Sequence, residues 1–81
     1  MNVRDVLVDT IVAFHKDDAI KPLKFKYGDK LINIDLIITS DVERQTGNVI
    51  FKCFSLIDNF KWHYVLRFDS KNCKWYLGSI N

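Results

Sequence analysis

From Pro22 to Ile80 apolar side chains recur at every second position, with interruptions only at turn-like segments. A helix repeats every 3.6 residues and cannot present that pattern to a single core, whereas a pleated strand turns alternate side chains to opposite faces. Val, Ile, Phe, Tyr and Trp dominate these stretches, and such side chains suit a half-buried sheet surface. The pattern predicts an all-β fold of about six antiparallel strands, run as a meander that curls into a small barrel or roll. The 81 residues give one domain, 1–81, and their content is 48% hydrophobic and 14% aromatic, unlike a disordered chain.

The first segment, Val6 to Lys16, reads two ways. Val6, Val8, Thr10, Val12 and Phe14 alternate like a strand, while Val3, Leu7, Ile11 and Phe14 share one helical face behind Asn2 as an N-cap. The β-branched residues favour the strand. Lys16-Asp17-Asp18-Ala19 then turns the chain. Pro22 to Tyr27 alternates with Leu23, Phe25 and Tyr27 inward, and Gly28-Asp29 forms a two-residue hairpin turn with glycine first, as a type II′ turn requires. A strand follows from Lys30 to about Ile38, then a polar loop from Thr39 to Asn48. Val49–Ile57, Phe60–Phe68 and Cys73–Ile80 complete the set.

Turn lengths set the pairing. A two-residue turn at Asp58-Asn59 places Phe51 opposite Leu66, Cys53 opposite Tyr64 and Ser55 opposite Trp62, all on the core face. A four-residue turn at 69–72 sets Leu66 beside Trp75 and Tyr64 beside Leu77. The Gly28-Asp29 turn sets Phe25 beside Ile32 and Leu23 beside Ile34.

No catalytic constellation stands out. Cys53 and Cys73 fall on the predicted core face, too far apart along their strands for a disulfide and best read as small buried hydrophobes. His15 and His63 lack partners at metal-ligand spacing, and three glycines supply no phosphate loop. Most acids sit at turns, where aspartate bonds its own backbone. The expectation is therefore no enzyme, no cofactor and no metal. The early acids Asp5 and Asp9 break any leader-like apolar run, and no stretch is long enough to span a bilayer, so a cytoplasmic chain without membrane attachment is expected.

The outward face of the last three strands is the candidate interaction surface: Ile50, Lys52 and Phe54, with His63, Val65 and Arg67, then Lys74 and Tyr76. Aromatic and arginine anchors suit a protein partner or a second copy in a homodimer. The same mixture of rings and cations suits single-stranded nucleic acid, the alternative reading, although a net charge of +2 offers little general attraction to polyanions. Lys21, Lys24, Lys26 and Lys30 read as a solvated, edge-protecting set.

Pro22-Leu23-Lys24-Phe25-Lys26-Tyr27-Gly28-Asp29, with Ile34 and Ile37 behind it and Trp75-Tyr76-Leu77 near the end, resembles small bacterial all-β domains of unknown function. Those domains share a proline, a phenylalanine, an aromatic and a glycine-led hairpin in similar order, then a closing strand with a tryptophan. The resemblance covers residues 11–80. It departs at Tyr27-Gly28-Asp29, where those domains carry tryptophan and basic residues. It implies a stand-alone β domain and carries no site.

Overall fold

The computed structural model describes residues 2–14, 20–44 and 50–81, and the side chains of these except at 2–5, 43 and 44. Six strands follow in order: β1 (Asn2–Phe14), β2 (Ile20–Tyr27), β3 (Lys30–Arg44), β4 (Ile50–Asp58), β5 (His63–Asp69) and β6 (Lys74–Ile80). All pair antiparallel with their neighbours, and β1 meets β6 to close a barrel. Closure pairs the two terminal strands, which an open meander would leave as sheet edges. The first segment is thus a strand. The turn expected at 16–19 and His15 lie outside the described residues. Among the described residues no helix is long and apolar enough to cross a membrane.

The barrel is filled by Val8, Phe25, Ile32, Phe54, Leu56, Tyr64, Leu66, Phe68, Trp75 and Leu77. Trp75 lies between Phe68 and Phe54, with ring centroids 4.7 and 5.6 Å away. Phe25 meets Tyr64 edge-on at 5.3 Å. Offset and edge-on contacts of this kind suit the quadrupoles of the rings.

The β2–β3 hairpin forms as expected. Phe25 pairs with Ile32, Gly28 has a φ of 61°, and Asp29 stays out of the left-handed region. Leu23 departs from expectation. The register between β1 and β2 slips here, Ile11 pairing with Lys24 and Val12 with Pro22, so Leu23 is the extra residue of a bulge. The bulge turns Leu23 to solvent and buries Pro22 instead.

The larger correction concerns β4. Phe51 pairs with Asp69, Phe54 with Leu66 and Leu56 with Tyr64, an odd displacement from the register of a two-residue turn. An odd displacement exchanges the faces of a strand. Phe54 is 2% exposed and sits in the core, whereas Phe51, Cys53 and Ser55 stand on the outer side, half-buried. Between β5 and β6 the displacement is even from Leu66 to Asp69, with Leu66 opposite Leu77 and Phe68 opposite Trp75; a bulge between Val65 and Leu66 then sets Ile80, not Leu77, opposite Tyr64, and the inner faces stay as expected. The turn there occupies 70–73, which leaves Cys73 exposed with a φ of 55° rather than in the core. The Asp69 carboxylate organises it, accepting from the backbone N–H groups of Lys71 and Asn72 and from the Asn72 side-chain amide. The Asn72 bonds hold its carboxyl below the usual carboxylate range. Finally, Thr39–Arg44, expected as loop, continues β3 in register with β4 as far as Arg44 opposite Ile50.

Candidate functional site

A sharp turn governed by Asp58 ends β4. Asp58 is buried, and its Oδ1 accepts hydrogen bonds from the backbone N–H groups of Phe60 (2.8 Å) and Trp62 (3.0 Å). Its Oδ2 accepts from the Tyr64 hydroxyl at 2.9 Å. The backbone adds Asp58 N–H to the Trp62 carbonyl and Lys61 N–H to the Asp58 carbonyl. Lys61 takes a φ of 69°, which lets the chain reverse within residues 59–62. A carboxylate bonding to amides two and four residues on is a local brace that replaces the two-residue hairpin and sets the register of β4.

The braced turn pushes two large aromatic side chains outward. Phe60 is 83% exposed and Trp62 55% exposed, against the expectation that Trp62 belongs to the core and Phe60 begins a strand. Between them and the β2–β3 hairpin lies a half-open cleft of about 840 Å³. Tyr27, Leu31, Ile32, Phe60, Trp62 and Ile80 give it an apolar wall, with Asp29, Lys30 and Asp58 among its polar groups. The volume falls in the range of ordinary ligand clefts. Lys61, on the same turn, forms an ion pair with Asp35 at 3.9 Å with both side chains in solvent, where such a pair contributes little.

Burial, with the hydrogen bond to Asp58 and its charge, pushes the Tyr64 hydroxyl up to about 12. A raised folded-state pKa means a stabilising contribution present in full below the unfolded value near 10 and lost as pH rises through about 12. Denaturation midpoints taken across that alkaline interval should fall in the wild type more steeply than in Tyr64→Phe. Equal slopes would show that the phenol is not held by Asp58.

The eight residues read from the sequence as one outer face do not stay together. His63, Val65, Arg67, Lys74 and Tyr76 do lie on the outer side of β5 and β6. Phe54 is in the core, and Ile50 and Lys52 share its face of β4, towards the far end of the barrel. The outer face of β4 is supplied instead by Phe51, Cys53 and Ser55. The guanidinium of Arg67 lies 4.3 Å over the Phe51 ring, an intramolecular cation–π contact on this outer side. Lys74 pairs in register with Asp69.

Among the described residues no group of three His, Cys, Asp or Glu side chains is placed to hold a metal ion. The cleft was missed because Phe60 and Trp62 fit an alternating strand. The signal that could have found it is Asp58-Asn59-Phe60-Lys61-Trp62 taken whole: an aspartate opening a turn, followed by two large aromatics that the turn cannot bury. No protein family, curated protein or solved structure matches the chain.

Proposed function

We propose that this barrel is a non-catalytic interaction module that grips a protein partner through the aromatic cleft. The observation that carries this reading is the exposure of Phe60 and Trp62 on a turn locked by a buried carboxylate. Exposing two large rings is unfavourable in isolation, and a rigid platform removes the ordering cost when a partner covers them. Tryptophan and arginine-rich or aromatic anchors beside a concave apolar wall are the usual centres of binding energy. The polar groups Asp29, Asp58 and Lys30 mix both signs, which favours a peptide over a polyanion.

Panning a displayed random-peptide library against the chain tests this directly. Enriched peptides are expected to lose at least tenfold in affinity for Phe60→Ser and for Trp62→Ser, in line with anchors of about 1.4 kcal/mol or more. Both side chains are exposed, so both variants should fold. Peptides that bind the two variants as well as the wild type would refute the cleft as the binding surface.

A further inference from the structure

β3 changes partner along its length. Over Lys30–Asn33 it pairs with β2 in unbroken register, and from Ile34 onward it pairs with β4. The barrel order sets β2 on one side of β3 and β4 on the other. Asp58 is the last residue of β4 and stands opposite Ile34. Continued past Asp58, the same ladder would set Asn59 opposite Asn33 and Phe60 opposite Ile32. The chain does not continue. The brace on Asp58 carries residues 59–62 out of that line, and Phe60 stands 83% exposed. Among the described residues no backbone hydrogen bond joins 59–62 to Lys30–Asn33; the turn's own bonds run between Asp58, Lys61 and Trp62.

What remains beside Lys30–Asn33 is the aromatic cleft. These residues line one side of it, and Phe60 and Trp62 line the other. Amides along a strand point alternately to its two sides, so β2 takes only part of those in Lys30–Asn33. The rest, with the matching carbonyls, face the place that β4 vacates, at the spacing that another extended chain can meet. A helix bonds its amides internally and a proline-rich segment lacks them, so neither can complete this ladder.

On the reading that a partner protein docks in this cleft, we infer that the docked part is an extended segment, which adds a strand to β3 along Lys30–Asn33 in the line that β4 leaves. One face of such a segment would lie on the apolar wall of Ile32, Tyr64 and Ile80, and the other would stay in solvent at the mouth. Apolar and polar residues should therefore alternate along it. A second copy of this chain is the wrong shape. Its own Lys30–Asn33 edge lies back beside the same exposed rings, and a two-fold contact would require two concave edges to meet.

Backbone methylation tests this on the whole chain, with a peptide enriched in the library panning whose binding is lost on Trp62→Ser. Each of its amides is N-methylated in turn, which removes one donor and leaves the side chains in place. Affinity should fall about tenfold or more at alternate positions over a stretch of about four residues, and little at the positions between. The bound peptide should also slow amide exchange at alternate residues within Lys30–Asn33. Losses without that period of two would overturn the added strand, while Trp62→Ser would still mark the cleft as the binding surface. So would enriched peptides that keep their affinity with proline throughout the contact stretch. Protection of Lys30–Asn33 that rises with protein concentration in the absence of peptide would mark a second copy as the occupant and overturn it too. If no enriched peptide is lost on Trp62→Ser, the cleft reading itself fails and the added strand falls with it.

Discussion

Replacing Phe54 by alanine is expected to cost about 4 kcal/mol of unfolding free energy, and replacing Phe51 by alanine about 1 kcal/mol. The two phenylalanines lie three positions apart on β4, but the braced turn places them on opposite faces. Phe54 is 2% exposed and packs against Trp75, so its removal leaves a cavity in a closed barrel whose walls cannot collapse freely. Phe51 is half-buried on the outside and loses mainly its contact with the Arg67 guanidinium. A chain of this length holds roughly 4–12 kcal/mol in total, so Phe54→Ala should stand near the edge of unfolding. Urea denaturation of both variants, with Phe54→Leu as a milder companion, checks the ranking. If Phe51→Ala proves the more damaging, Phe54 does not occupy the core face of β4.

That contrast also shows where the sequence was readable. In β5 the inner set Tyr64, Leu66 and Phe68 stands against His63 and Arg67, so the pattern alone chooses the face. The hairpin at Gly28-Asp29 was equally plain, because its geometry depends on two residues and a positive φ at glycine. In β4 both faces are apolar: Phe54 and Leu56 on one, Phe51, Cys53 and Ile57 on the other. Alternation cannot choose between them. The choice falls to the turn, and the turn is set by bonds from one carboxylate to two amides and a hydroxyl that no count of turn residues reveals. Thr39–Arg44 was hidden for a different reason. Its side chains are polar apart from Val42, but its backbone ladder with β4 continues regardless, and backbone pairing leaves little mark on composition. The candidate site depends on the same turn, since a two-residue turn at Asp58-Asn59 would bury Trp62 and turn Phe54 outward.

Asp58→Ala should therefore be the most informative single change, with a cost of about 3 kcal/mol, because one substitution removes the acceptor of three hydrogen bonds and leaves the buried Tyr64 hydroxyl unmet. The loss should be structural before it is global. Without Oδ1, the amides of Phe60 and Trp62 turn to water, only the two backbone bonds of the turn are left to hold Lys61 in its left-handed conformation, and the aromatic lip loses its fixed placement. Trp62 fluorescence and near-ultraviolet circular dichroism should report that loosening at temperatures where the far-ultraviolet spectrum remains that of an intact sheet. Asp58→Asn separates shape from charge. Its carbonyl oxygen can still accept from the turn amides and its NH₂ can donate to the Tyr64 oxygen, so about half of the stability should return along with the aromatic signal. Peptides selected on the cleft should then bind Asp58→Ala weakly and Asp58→Asn nearly as well as the wild type, although Phe60 and Trp62 are present in both. Full binding by Asp58→Ala would mean that the rings need no platform, and the case for a pre-organised site would fail.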